Sequence, residues 1–217
     1  MSLVLYGHPF SSYCQKVEIA LYENALPFEL RMLGPEHPRH TEEWSEAWPL
    51  KKMPVLVDAG RAVVESSIII EHLHLHHRGP VSLLPADPAG ALEVRFMDRF
   101  FDQHVMTPMQ VPVFEALRPD GRVDAAREAA QALEIAYAWL ERRLAGRTWA
   151  AGDAFGMADC AAAPSLFYAD WIHRIGAHFP TLRAYRTRLI ARPSFARAVE
   201  EARPYRSLFP LGAPDRD

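Results

Sequence analysis

Lys51–Leu73, KKMPVLVDAGRAVVESSIIIEHL, is the stretch whose reading decides the fold. Val55–Val57 is a short apolar strand entered from Pro54, Asp58-Ala-Gly60 has the residues of a tight hairpin, and Ala62–Val64 is the returning strand. Glu65-Ser66-Ser67 then opens a helix in which Ile68, Ile69 and Leu73 follow the 3.6-residue period. Proline cannot donate to a sheet ladder, so Pro54 at a strand entrance needs a local reason, and a cis Met53–Pro54 bond supplies one. It would turn the Met53 backbone outward and leave its N–H and C=O free for an extended ligand. Across the hairpin, Ser66 stands at a helix N-terminus, where hydroxyl, backbone N–H and dipole can hold a carboxylate. Together these features make a site for a small peptide with a free carboxylate.

The flanking residues extend the pattern. Leu3–Tyr6 is a short strand, Gly7–Ser12 a loop, and Ser11 or Ser12 can cap a helix running to about Asn24, with Val17, Ile19, Ala20 and Leu21 inward. Pro27–Met32 alternates as a second strand, so strand, helix and strand imply a right-handed parallel crossover. A short helix around Thr41–Trp48 precedes the hairpin, completing a thioredoxin-like βαβ–ββα unit. Arg78-Gly-Pro80 ends the helix after Ser66, and Leu84–Pro88 reads as an exposed linker. From Ala89 onward the spacing is helical throughout. Helices are expected near 89–117, 123–145, 156–172, 180–191 and 194–202.

This order of elements resembles the glutathione transferase family. Met53-Pro54-Val55-Leu56 and Val64-Glu65-Ser66-Ser67-Ile68-Ile69 carry the resemblance. Ala151-Gly-Asp-Ala-Phe-Gly-Met-Ala-Asp159 is similar to the family's capping-box motif, with Gly156 where a Ser or Thr is usual. The runs Phe179–Tyr185 and Arg192–Phe195 resemble its C-terminal helices. The resemblance implies an α/β thioredoxin-like N-terminal domain (1–79), a linker (80–88) and an all-α C-terminal domain (89–217). It also implies glutathione as co-substrate and a homodimeric detoxification enzyme. By resemblance Met53 pairs backbone to backbone with the cysteinyl part of glutathione beside Pro54, and Glu65 and Ser66 hold its γ-glutamyl end. Lys52 is the candidate for a glutathione carboxylate.

Composition agrees with a globular enzyme: 217 residues, 49% hydrophobic, 24% charged, net charge −3. Basic residues do not cluster, which argues against a nucleic-acid or anionic-membrane partner. No apolar run reaches a membrane span, and the N-terminal MSLVLYGHPFSSY lacks signal-peptide features. Two cysteines, Cys14 and Cys160, make no disulfide framework, so a reducing cytoplasm is expected.

The reactive group of a thioredoxin-like fold belongs at the start of its first helix, where the dipole stabilises a sulfur anion. Here the stretch is Ser11-Ser-Tyr-Cys14. A serine cannot form a disulfide, so two-cysteine redox chemistry is lost, but its hydroxyl can donate to a bound thiolate. In serine-type transferases the functional serine lies three before the position of Cys14, which picks Ser11; Ser12 and Cys14 are the alternatives. The serine pair also resembles maleylacetoacetate isomerases, although Tyr13 and Cys14 depart from their pattern. The functional reading is conjugation of the glutathione thiolate to an apolar electrophile. The alternatives are a glutathione-dependent isomerase and a non-catalytic protein of the same fold. Phe10, His104 and Tyr168 are candidates for the electrophile pocket among the Met and aromatic residues of the helical part. His72, His74, His76 and His77 contain an i, i+4 pair, but no carboxylate- or Cys-rich segment completes a set, so no metal is expected.

Overall fold

The computed structural model describes residues 3–217. Four strands, β1 (Leu3–Gly7), β2 (Phe28–Met32), β3 (Val55–Asp58) and β4 (Arg61–Val64), form one sheet in the order β2-β1-β3-β4. β1 and β2 are parallel, joined by α1 (Ser12–Glu23); β1–β3 and β3–β4 are antiparallel. After α2 (Pro38–Ala47) the Met53–Pro54 bond is cis, and the ladder begins only at Val55, opposite both Tyr6 and Val64. Pro54 therefore never has to supply a ladder N–H. Between β3 and β4, Ala59 (φ 48°) and Gly60 (φ 81°) are both left-handed, as a two-residue hairpin loop following the right-handed strand twist requires.

α3 (Ser66–His76) covers one face of the sheet. Ile69, Ile70 and Leu73 are buried, whereas Ile68 is 49% exposed. The expected stripe was thus displaced: the helix starts at Ser66, and Ile70 takes the inward place assigned to Ile68. Leu83 and Leu84 are also buried, whereas Pro85 to Pro88 are exposed.

The remaining helices are α4 (Pro88–Phe100), α5 (Thr107–Ala116), α6 (Ala125–Arg143), α7 (Met157–Ile172), α8 (Pro180–Ile190) and α9 (Pro193–Ala202). α7 is buried from Met157 through Asp170, as its near-continuous apolar sequence demands, and packs against α1, α4 and α8. Two features depart from the 3.6-residue reading. The single helix expected over 89–117 contains a π-helical turn, Phe101–Met106, between α4 and α5. Beyond α9 a 3₁₀ turn, Arg203–Leu208, carries the C-terminal segment back onto the molecule.

At the start of α7, Asp159 accepts from the Gly156 N–H (3.0 Å), the Ala150 N–H (2.9 Å) and the Tyr185 hydroxyl (2.6 Å). Burial raises its pKa to about 6, against the pull of these donors. Gly156 has no hydroxyl to return a bond, so the capping box is one-sided. The backbone around it explains the glycine: a Cβ there would lie 3.0 Å from the Leu83 carbonyl, the same oxygen that accepts the Met157 N–H.

Candidate active site at the first helix N-terminus

Ser11 caps α1. Its φ/ψ of −88°/121° is extended, its N–H donates to the His8 carbonyl (2.9 Å), and its Oγ accepts the Cys14 N–H at 3.4 Å. The capping bond uses only a lone pair of the hydroxyl, so its proton remains available for a ligand. Cys14 is fully buried against Gly7, where an added Cβ would sit 2.7 Å from its Sγ. Burial, with the charge of Glu18 adding to it, pushes the thiol up to about 12. A thiol so shielded stays protonated at neutral pH, and only the thiolate attacks. Cys14 is a packing residue in this structure.

Three cavities lie in series around this turn. One of about 840 Å³ runs between the end of β1 and α2, lined by His8, Leu33, Trp44, Lys51 and Met53. A second, of about 460 Å³, shares Met53 and continues past Pro54 to Glu65 and Ser66. A third, of about 170 Å³, shares Gln110 with the second and is lined by Ser11, Ser12, Phe10 and Tyr168. The expected residues Lys52, Met53, Pro54, Glu65 and Ser66 are therefore brought together on one wall. Lys51 and Lys52 separate, one to each side of Met53. The Lys52 side chain is exposed while its carbonyl is held by the Trp44 indole N–H (3.0 Å).

Glu65 is held at φ 68°, a left-handed conformation that costs a non-glycine residue energy. Its carbonyl accepts the Ile69 N–H (2.8 Å), which starts α3 and sets the helix's first residues, Ser66 to Ile68, in the second cavity's wall. Strain of this kind persists where the surroundings over-determine a position, and here it sets the N-terminus at which an anion would bind.

Behind Ser66 lies an ionic group absent from the sequence reading. Lys16 of α1 is buried; its Nζ lies 2.7 Å from Asp98 Oδ1, in ion-pair contact outside hydrogen-bond alignment, and donates to Asp102 Oδ2 (2.7 Å) and Ser67 Oγ (2.9 Å). Ser67 in turn donates to Asp98 Oδ2 (2.6 Å). Asp102, Ser67, Arg99 and Tyr13 line the second cavity. Burial raises the Asp102 pKa, with Lys16 opposing. Of the two carboxylates only Asp102 lines that cavity, and it retains acceptor capacity beyond its bond from Lys16. The available signal was a lysine on the inward stripe of α1 and an aspartate on that of α4; a buried charge demands a partner.

The third cavity is lined mainly by apolar side chains. Phe10 packs edge-on to Tyr168 (ring centroids 5.6 Å), and the Tyr168 hydroxyl accepts from Gln15 Nε2 (3.0 Å). Met109, Val113 and Leu117 enter from α5 and its end, while Leu208, Phe209 and Pro210 enter from the C-terminal segment. His104, expected in this pocket, is exposed on the π turn with its ring 5.1 Å from Phe100, outside the lining of the third cavity. A wider turn shifts the register of everything after it, so a straight helix through 89–117 misplaces side chains at that depth.

Residues 5–81 match the profile of the glutathione S-transferase N-terminal domain, and residues 104–193 that of its C-terminal domain. A glutathione transferase of Zea mays is 34% identical over 122 residues, 56% of this chain and 51% of that protein, so the chain spans about half the length of that relative. A probable maleylacetoacetate isomerase of Vibrio cholerae is 28% identical over 216 residues, covering 94% of this chain and 98% of the other. A solved glutathione S-transferase from Methylobacterium radiotolerans, in complex with glutathione sulfonate, is 34% identical, superposes with a TM-score of 0.77, and covers 92% of this chain and 95% of its own. With both domain profiles matched in order around this cleft, the chain belongs to the glutathione S-transferase family.

Proposed function

We propose that the protein conjugates glutathione to apolar electrophiles, with Ser11 donating to the thiolate. The observation that carries this is the series of three cavities: the more polar one past Met53 and Ser66 shares Met53 with the first and Gln110 with the largely apolar one at the N-terminus of α1. In this reading Ser66 and the first N–H groups of α3 hold the γ-glutamyl carboxylate, and Asp102 accepts from its ammonium. The Met53 backbone pairs with the cysteinyl residue. The thiol loses its proton to solvent, the sulfur forms a bond to an electrophilic carbon, and a leaving group departs with the displaced electron pair. Where the reaction is an addition, the adduct takes a proton instead. Holding the sulfur ionised and placed is the whole catalytic task. Calorimetry with glutathione, followed by conjugation assays on aryl halides and enones, tests the reading. Failure to bind glutathione by a folded chain would reduce the protein to a non-catalytic member of the family.

A second reading, isomerisation with glutathione as a recycled cofactor, is favoured by the near full-length match to the Vibrio cholerae protein and by the Ser11-Ser12 pair. Conversion of a cis-enedione without net consumption of glutathione would select it. In either case we propose a homodimer in the cytoplasm. Ile68 and Leu75, two turns apart on α3, are 49% and 62% exposed, and Phe96 of α4 is 45% exposed. Sedimentation at micromolar concentration checks the dimer.

A further inference from the structure

We propose that Asp58, His72 and His77 form a binding site for a divalent transition-metal ion of the Zn²⁺ class, clamping the β3–β4 hairpin to the end of α3. From the sequence no metal was expected at these imidazoles because no partner segment was visible. The fold supplies one: Asp58, the last residue of β3, sits against the C-terminal turn of α3. His72 Nε2 lies 2.9 Å and His77 Nε2 2.6 Å from the same carboxylate oxygen, Asp58 Oδ2. One ligand atom from each of the three residues lies within 4.8 Å of the others, a convergence found at one place among the described residues. The side chains are 12%, 15% and 23% exposed, sheltered enough to be held yet open to an entering ion.

The pair is not the one the helical spacing suggests. The His72 and His76 rings lie tilted at 46° with centroids 4.6 Å apart, but His77 is the residue that joins Asp58. Five residues apart on a continuous helix, His72 and His77 would point in different directions. His77 is the C-cap, with φ −131° and ψ 63°, and this departure from helical geometry swings its ring back toward β3.

Two imidazole nitrogens and a carboxylate oxygen are ligands suited to Zn²⁺, Cu²⁺, Ni²⁺ or Co²⁺. With metal–ligand distances of about 2.0–2.2 Å and tetrahedral angles, ligand atoms stand roughly 3.3 Å apart. The present Nε2–Oδ2 separations need only a small ring rotation to admit the ion, which would displace whatever proton each Nε2 shares with the carboxylate. Water, or His76 on the same turn, would complete the set. The molecule provides its own contrast in Glu134, which bonds His173 through Oε2 (2.7 Å) and His178 through Oε1 (2.9 Å). Those two imidazoles take different oxygens and do not converge.

The test uses the full chain, with Zn²⁺ in calorimetry and thermal unfolding and Co²⁺ in visible absorption. Wild type should bind one strong equivalent of Zn²⁺, unfold at higher temperature with it, and give an intense low-coordinate Co²⁺ spectrum. His77→Ala should weaken Zn²⁺ at least about tenfold and abolish both the thermal shift and the Co²⁺ bands. Asp58→Asn should do the same, but it also loosens the hairpin, so His77, the most exposed of the three, is the deciding variant. A paired His173→Ala, His178→Ala variant should bind as wild type does. Equal isotherms for wild type and His77→Ala, or loss of the strong equivalent in the His173/His178 variant, would overturn the assignment.

Discussion

Replacing Ser11 with alanine is the most direct probe of the proposed chemistry. The Ser11 Oγ accepts the Cys14 N–H at a long 3.4 Å, so the cap is weak and the hydroxyl proton is uncommitted. A hydroxyl bond to a charged acceptor is typically worth about 1.5–3 kcal/mol. At about 1.36 kcal/mol per pKa unit, its loss should raise the thiol pKa of bound glutathione by roughly 1–2 units. Losing the cap should cost the fold about 0.5–1 kcal/mol, the low end for an N-cap. The assay is the ultraviolet thiolate absorbance of the glutathione complex against pH, run beside conjugation rates. Turnover should fall by about one to two orders of magnitude below the wild-type midpoint, in proportion to the lost thiolate, and recover at alkaline pH. Ser12→Ala separates the two hydroxyls that line the same cavity, and only the donor's loss should move the titration. An unmoved midpoint in Ser11→Ala would refute the assignment of the donor, and abolished activity in Cys14→Ala with Ser11→Ala active would refute the reasoning and place the chemistry at Cys14.

Other outcomes follow from neighbouring groups. Ser66→Ala should weaken glutathione by about 1.5–3 kcal/mol in calorimetry while leaving saturated turnover nearly unchanged, since the contact is equal in ground and transition states. Cys14→Ala should leave catalysis intact and cost about 0.5–3 kcal/mol of stability in denaturant melts, from the void beside Gly7. Lys16→Met should lower the melting temperature, by about 3–5 kcal/mol of stability, because Asp98 and Asp102 lose their cation in a buried setting. Glu18 is fully buried, both its carboxylate oxygens lack partners, and its pKa is raised from 4.5 to about 8, first by burial and then by Glu201. A raised carboxyl favours the native state at low pH, and that contribution is lost as pH rises from about 4.5 to about 8. Glu18→Gln should therefore be close to wild type at pH 4.5 and progressively more stable than it through pH 8; a stability difference independent of pH would show that the carboxyl titrates normally.

The elements and their order were legible in the sequence because each is a local matter. Alternation over Phe28–Met32, the Pro54 strand entrance, the Asp58–Gly60 turn and the apolar run of α7 are all encoded within a few residues of themselves. That Met53, Pro54, Glu65 and Ser66 would line one cavity was equally legible, since they lie on one hairpin and its following helix. What depended on distance along the chain was not. Lys16 meets Asp98 and Asp102 across more than eighty residues, Leu208–Pro210 reaches the pocket of Ser11 from the far end, and Asp58 meets His77 only because a helix cap bends the chain. The π turn at Phe101–Met106 packs on α7, and a 3.6-residue period does not register it. A periodic pattern states which face of a segment is apolar; only the tertiary structure decides which other segment meets that face, and therefore which buried charges find partners and which side chains close a site.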